Sequence, residues 1–504
     1  MRSREKLRYN IYCGPYLRTW PTTVERGYKM FDTMMQPTED YTLSKAEQNR
    51  RLGLGAGFTL NYDPDTLNSF FTWGGGWYED HMQQWTSEAT RLFFNPERSV
   101  AYADSSYRSA LGLGGYGGIM WTRQLDDEGQ ELQVAVSGYF SKDSDSSQFS
   151  RLYSTGNHPS YGYINRTENL YRSAALELDY TKPINDDMDL EAGASVEYMH
   201  SPMWQRWDSL DLASSLYVND GLRSFENYQR VLEPQAYVTY TYRPFDGFNV
   251  KLGLRAEERH TQNNYPSDPE YDMTRSDFNL VPSIHLSYRT KSNNNFKLNY
   301  TRRYDAPVGS QFSPYRFYNV ETIETGNSAL LCSYTHNVEA GWTRFIKGFG
   351  SVGIDGYYNG NTNDIESLND AEYDLFFGRY VPVEKPLNVG NSHTLGATSN
   401  VTYRPNAMLN IRLYASLFDN YYRAQFRSDE WTENEMLSYR IKLSAWTKLW
   451  KKLDVFCNAT YLSPTQSLLA ETGERKSIDL GLSADLFQRK LSLYLSVNDI
   501  FNWN

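Results

Sequence analysis

The sequence predicts a large antiparallel β-barrel that crosses a membrane, and three observations predict it. First, segments of roughly ten residues alternate apolar and polar side chains. Leu52-Gly-Leu54-Gly-Ala56-Gly-Phe58-Thr-Leu60-Asn-Tyr62 is one, and Leu132-Gln-Val134-Ala-Val136-Ser-Gly138-Tyr-Phe140 is another. Side chains alternate across a strand, so each segment carries one apolar face. Second, the segments come in pairs, with a short turn inside each pair and a long polar stretch between pairs. Short turns at one end and long loops at the other are how the two ends of a membrane barrel differ. Third, 15% of the residues are aromatic, with 41 Tyr and 12 Trp, which suits girdles at the two membrane interfaces.

Nine hairpins follow in order. Residues 52–62 pair with 67–78 across Asp63-Pro64-Asp65-Thr66, and 108–122 with 131–141. Residues 171–181 pair with 189–199 across the turn from Lys182 to Asp187, and 232–243 with 248–258 across Pro244-Phe245-Asp246-Gly247. Next come 278–289 with 295–303, 334–345 with 350–360 across Lys347-Gly348, and 392–403 with 408–418 across Pro405-Asn406. The last two are 436–447 with 452–461 and 477–487 with 490–499. Pro, Gly, Asn and Asp at these gaps supply a preset φ or tolerate a positive one. Residues 7–17 add one more strand, for about nineteen in all. The stretches 79–107, 142–170, 200–231, 259–277, 304–333, 361–391, 419–435 and 462–476 read as loops.

The whole chain, 1–504, reads as one barrel domain, because closure makes a single domain of any strand number. A mean hydropathy of −0.66 is compatible with this, since only one face of each strand meets lipid. No run approaches the length of a transmembrane helix. The N-terminal Met-Arg-Ser-Arg-Glu-Lys-Leu-Arg has no apolar core, so an export signal is expected upstream of this sequence. Residue 499 falls at the loop end of a strand, so a further loop and strand are expected downstream. With those and one hairpin before residue 7, the expected total is about twenty-two strands.

A net charge of −11 argues against nucleic acid as a partner. Cys13, Cys332 and Cys457 are too few and too scattered for a disulfide framework or a zinc site. The seven histidines have no paired metal-ligand spacing, and His285 falls on the polar face of its strand. Gly112-Leu-Gly114-Gly115-Tyr-Gly117 matches a dinucleotide fingerprint in letters only, since a strand pattern runs through it and no helix follows. Glycine there is expected to leave room for a neighbouring group or a bend. Asp80-His81, on a loop, and Glu257-Glu258-Arg259-His260, at a strand top, are the carboxylate candidates for acid–base chemistry. Solvated charge is the simpler reading of both, and no enzymatic activity is expected. Arg302 and Arg303 must point to opposite faces, one of them the lumen.

Several residues together resemble the barrel of bacterial TonB-dependent receptors, in the outer-membrane β-barrel form common among Bacteroidetes. They are Leu280-Val-Pro282-Ser283-Ile-His-Leu286-Ser287-Tyr288, Tyr300-Thr-Arg302-Arg303, and the stretch from Pro307 to Pro314-Tyr315-Arg316-Phe317-Tyr318. Thr325-Gly326-Asn327 and Tyr334-Thr-His336-Asn337-Val-Glu339 continue the resemblance. Ser328 stands where that family usually has proline, and Leu331-Cys332 replaces its Pro-Glu pair. Residues 490–502 resemble its penultimate strand.

The resemblance implies a 22-stranded outer-membrane importer whose lumen holds a plug and whose loops capture a bulky nutrient. Its expected surroundings are outer-membrane lipid, that nutrient, and a surface lipoprotein partner. TonB would act only through an N-terminal region that this sequence lacks, and no cofactor is implied. The alternatives are a plugless passive channel and a structural or adhesion barrel. The aromatic-rich loops carry the candidate ligand contacts: Tyr153, Tyr161, Tyr163, Trp204, Trp207, Tyr315, Phe317, Tyr318, Tyr373, Phe376 and Phe377. Of these, Trp204, Trp207, Tyr315 and Tyr318 are the expected ligand-binding residues.

Overall fold

A computed structural model describes residues 6–31, 37–93, 99–155, 160–319, 322–375, 378–425, 431–449, 453–468, 470–487, 491–501 and 503. The chain runs through β1 (Leu7–Phe31), β2 (Pro37–Tyr62), β3 (Asn68–Phe93), β4 (Val100–Gln124), β5 (Glu131–Thr155), β6 (Tyr161–Asn185) and β7 (Met188–Asp211). A short β8 (Leu216–Asn219) precedes β9 (Phe225–Tyr242), β10 (Phe248–Asn264), β11 (Met273–Arg289) and β12 (Asn294–Asp305). A single helical turn, α1 (Gly309–Phe312), and the short β13 (Arg316–Tyr318) and β14 (Ile323–Thr325) lead to β15 (Ser333–Ile346). Then come β16 (Gly350–Asp374), β17 (Arg379–Asn406), β18 (Leu409–Gln425), β19 (Trp431–Leu449) and β20 (Leu453–Leu462). A small ribbon of β21 (Thr465–Gln466) and β22 (Glu471–Thr472) precedes β23 (Arg475–Leu486) and β24 (Leu491–Val497).

Twenty-two of these strands belong to one sheet. Nineteen form an antiparallel meander in which each long strand pairs with the next long strand in the chain. The short β8, β13 and β14 make up the difference, so this twenty-two arises differently from the count expected from the sequence. All nine predicted hairpins are present, and the first strand, predicted over 7–17, runs on to Phe31.

The turns between paired strands are built as their residues suggest. Asp65 Oδ1 accepts from the backbone N–H of Leu67 and of Asn68, both at 2.8 Å. Asp126 Oδ1 does the same for Glu128 and Gln130, beside Gly129 at φ 95°. The turn predicted from Lys182 to Asp187 is tighter than expected. Pairing continues to Asn185↔Met188, leaving Asp186-Asp187, with Asn185 Oδ1 accepting from Asp187 N–H.

The larger correction concerns the long loops. Most of the stretches read as loops are continued strand: β3 reaches Phe93, β5 reaches Thr155 and β6 starts at Tyr161. A 25-residue strand is on the order of 80 Å long, whereas a tilted barrel strand needs only about 9–11 residues to cross the apolar layer. Above that layer both faces of the sheet meet water, so apolar–polar alternation has no cause. Ser141-Lys-Asp-Ser-Asp-Ser-Ser-Gln is polar on both faces yet stays fully paired with β4 and β6.

Within the layer, the two faces differ as the alternation requires. Outward-facing Leu176 and Leu178 of β6 are 48% and 45% exposed, and Val136 of β5 is 50% exposed. Such a continuous exposed apolar band is what lipid covers. Cys457 lies on this face, opposite Ala445. The inward face is polar and cross-linked: Lys297 Nζ lies 2.7 Å from Glu339 and 3.0 Å from Asp355, and Lys251 lies 3.0 Å from Glu191. His285 faces this side, as expected, with Nδ1 3.1 Å from Asn299 Oδ1.

The glycine run of β4 makes room for aromatic rings. Gly114 and Gly118 sit directly opposite Trp77 and Trp73. A Cβ at either position would lie within 2.5 Å of the facing indole. The rings therefore lie flat against the wall, which is the packing rationale for a glycine–aromatic pair in a barrel strand.

Candidate functional site

Two of the three buried apolar clusters among the described residues lie above the membrane band, where a strap of residues 306–319 and 322–332 crosses between strands. The third, Val389, Ala424 and Leu468, joins β17 and β18 to the segment before β22. This strap joins the tops of β9 and β10 to the tops of β16 and β17. At one end, Asn263 Nδ2 donates to Gly309 O at 2.9 Å, and Arg223 Nη2 donates to Asn319 O at 3.2 Å. At the other, β14 pairs in parallel with β17, Ile323 opposite Val383, and Asn327 Nδ2 donates to Pro386 O at 3.2 Å. Asn388 clasps Leu331 in both directions, through its Oδ1 and its Nδ2.

Thr325-Gly326-Asn327 closes the strap on itself. Gly326 N–H donates to Ser313 O at 2.9 Å and Asn327 N–H to Gln311 O at 2.7 Å. A Cβ at residue 326 would lie 2.3 Å from Ser313 O, so only glycine allows this approach.

Tyr315 is the centre of the strap's packing. Its ring stacks on Tyr265 with centroids 4.6 Å apart and planes 2° from parallel. Phe225, Tyr271 and Phe317 close around it at 5.6, 5.2 and 4.9 Å. Tyr265 Oη bonds Ser313 Oγ at 2.8 Å. Burial pushes the Tyr315 hydroxyl up to about 12, and burial likewise raises that of Tyr265.

The other three expected ligand residues are placed separately. Trp207 faces inward on β7 and is buried, stacked on Tyr163 at 4.1 Å, which in turn stacks on Phe149 at 5.1 Å. Trp204 lies three residues away on the same strand, hence on the outward face, edge-on to Tyr228 at 6.0 Å. Tyr318 packs on Ile323, Val381 and Val383, and its hydroxyl donates to Asp374 at 3.4 Å. The four do not converge on one point. Tyr153, Tyr161, Tyr163 and Tyr373 are strand residues rather than loop residues. Phe376 and Phe377, like His158, lie outside the described residues.

What does converge is a set of side-chain amides. A cavity of about 520 Å³ lies under the strap. Asn169, Gln205, Asn227, Gln229 and Asn263 line it from β6, β7, β9 and β10, and Gln311 and Asn319 from the strap. Phe225, Tyr265 and Phe317 supply apolar wall, and Glu324 and Glu384 supply carboxylates. Among the described lining residues there is no Lys or Arg. The Asn227 Nδ2 amide is buried without a hydrogen-bond partner, a donor for something the protein itself does not provide. Sequence reasoning missed these amides because the stretches holding them read as loop. Their period-two spacing, as in Asn227-x-Gln229, was the available signal.

The acid–base candidates separate. Asp80 and His81 are neighbours within β3, not on a loop, so they face opposite sides of the wall. His81 stacks on Trp20 at 6.4 Å. Glu257 lies 2.5 Å from Arg255, whereas Glu258 points to the other face. Arg302 lies over the Tyr334 ring at 4.2 Å, and Arg303 takes the lumen side.

Comparison with known proteins agrees with this architecture. The profile described as the outer membrane protein beta-barrel family matches residues 123–504. The chain belongs to that family. It is accordingly a multi-strand protein of the bacterial outer membrane. No curated protein matches it in sequence. Among solved structures, it is similar in fold to the ferripyoverdine receptor of the outer membrane of Pseudomonas aeruginosa. That match has a TM-score of 0.60 at 12% identity and covers 98% of this chain and 67% of the receptor. The copper transporter OprC is similar at TM-score 0.56 and 11% identity, over 97% of this chain and 74% of the transporter. The Serratia marcescens hemophore receptor HasR is similar at TM-score 0.55 and 12% identity, over 96% of this chain and 77% of HasR.

Proposed function

We propose that this chain is the barrel of a TonB-dependent outer-membrane receptor, a single domain that imports a bulky, scarce nutrient. The observation that carries the reading is the strap-roofed, amide-lined cavity at the loop end of a wide barrel. A passive pore has no need of a partly enclosed site with a buried, unpartnered donor in its wall. The family's outer-membrane location and a fold shared with receptors support the reading. Capture would occur under the strap, and energy would come through TonB by way of a region N-terminal to this sequence. In this reading Tyr315 packs behind the Phe225, Tyr265 and Phe317 wall of the site, and Trp207 and Tyr318 extend it along the rim. Trp204, on the outward face, would meet only a ligand that reaches over the wall.

The experiment is uptake by a gene-deletion strain and its complemented parent. Ferric chelates, cobalamin, oligosaccharides and peptides are each supplied as the limiting nutrient. The expected result is loss of one class, restored by the gene and abolished by a protonophore. Steady ion conductance by the purified barrel, with no energy-dependent uptake of any class, would favour a passive channel.

A further inference from the structure

The outward face of β5–β10 carries a feature that import does not use. Arg172 of β6 sits directly opposite His200 of β7, and His200 sits directly opposite Arg230 of β9. Directly opposed residues on one face have Cβ atoms about 4.5–5.5 Å apart, so the two guanidinium groups flank one imidazole and repel each other across it. Outward-facing Lys142 of β5 extends the row at one end, one step above Phe140, which is opposite Arg172. His260 of β10 extends it at the other, opposite Leu232. Five consecutive wall strands thus present a basic side chain at nearly one height, over a width of about 20 Å at ordinary strand spacing.

Acid partners are scarce along the row. Lys142 lies 3.5 Å from Glu168, and His260 Nδ1 bonds Ser276 Oγ at 2.7 Å. Among the described residues, neither Arg172 nor Arg230 has a carboxylate within ion-pair distance, and both are exposed. Asp208 in a higher tier is already shared by Arg166 at 2.6 Å and Arg206 at 3.0 Å.

The height of the row is set by the apolar band. Below Arg172 the outward residues of β6 are Ala174, Leu176, Leu178 and Tyr180, ending at Lys182. Ten residues at the usual barrel tilt span about 25 Å, the height of the apolar band of an outer-membrane barrel. The row therefore lies where the apolar layer gives way to headgroups on the loop side. We propose that Arg172, His200 and Arg230 form a binding site for the phosphorylated headgroup of an outer-leaflet lipid. The phosphate oxygens accept from the two guanidinium groups across the imidazole, and the acyl chains lie on Leu176, Leu178 and Val196. Charge-assisted bonds of this kind offset the repulsion within the row.

The test is native mass spectrometry of the full chain in phosphatidylcholine nanodiscs doped with monophosphoryl lipid A. Wild-type protein is expected to retain the phosphorylated lipid in preference to phosphatidylcholine. Retention by R172Q/R230Q should be weaker by roughly thirtyfold, and R172K/R230K should keep most of it. Equal retention by wild type and R172Q/R230Q overturns the site, as does a wild type with no preference for the phosphorylated lipid. Release of the lipid by inorganic phosphate alone would mark a free-anion site and overturn the lipid assignment. If R172Q/R230Q fails to assemble, the wild-type preference and the single R230Q variant decide. All three side chains face outward, so nutrient uptake is expected to be unchanged in these variants, and failure here leaves the import reading untouched.

Discussion

The membrane band and the rim above it are made of the same strands but obey different rules. In the band, one face of each strand meets lipid and the other a polar lumen, so the sequence must alternate. Leu176 and Leu178 point out while Glu177 points in. In the rim, water reaches both faces, and the ladders are held mainly by backbone hydrogen bonds. Apolar packing there gathers in a few separate clusters, one of them aromatic and held under the strap around Tyr315. The difference teaches that periodicity in a barrel sequence reports the solvent, not the strand.

The sharpest way to break this comparison is to put a charge on each face of one strand. Leu178→Arg, outward in the band, should destabilise the folded barrel by about 2–4 kcal/mol. Glu177→Arg, its neighbour on the lumen side, should cost less than about 1 kcal/mol. Urea titrations of barrels refolded into lipid vesicles would measure both. Equal costs would mean that the faces are misassigned.

The second contrast is between band and strap. Tyr315→Ala removes the ring at the centre of the strap cluster and should loosen the strap by about 3–5 kcal/mol. The barrel itself should keep its urea midpoint. Hydrogen exchange should rise across residues 306–332 and stay slow in the band.

Alkali should act the same way, more gently. The Tyr315 hydroxyl is pushed up to about 12 by burial, above the ordinary tyrosine value near 10. A group whose folded value is raised favours the fold fully below the unfolded value. Its contribution is lost as pH rises towards the folded value. The strap should therefore hold at pH 9 and release between about 10 and 12. Limited proteolysis across that window would follow it, with Tyr315→Phe expected to release less sharply and Tyr265→Phe/Tyr315→Phe as the insensitive control, because burial raises the Tyr265 hydroxyl too.

The smallest expected effect is at a turn. Asp126→Ala removes the acceptor for two backbone N–H groups and should cost about 1 kcal/mol, without shifting register.

These contrasts also explain what the sequence could and could not reveal. The hairpins were legible because Asp65, Asp126 and Asn406 stand where turn chemistry requires them and alternation flanks them. The continuation of β3–β7 into the rim was not, because polar residues on both faces look like loop. Trp207 and Tyr315 were picked out as aromatic, but their burial depends on Tyr163 and Tyr265, which are distant in sequence. The amide cluster was invisible for the same reason: Asn169, Gln205, Asn227 and Asn263 meet only through strand register. The row of Arg172, His200 and Arg230 likewise becomes one feature only when three strands are aligned.

The most direct measurement is site-directed spin labelling along β6 and β5 in lipid bilayers, with Cys13 and Cys457 first replaced by alanine. Single labels at residues 174–180 should alternate with a period of two between oxygen accessibility and accessibility to a water-soluble nickel chelate. Labels at residues 144–148 should be open to the chelate on both faces. Alternation in the band that vanishes in the rim is the result this structure predicts. Uniform accessibility along residues 174–180, or alternation that persists through residues 144–148, would contradict it.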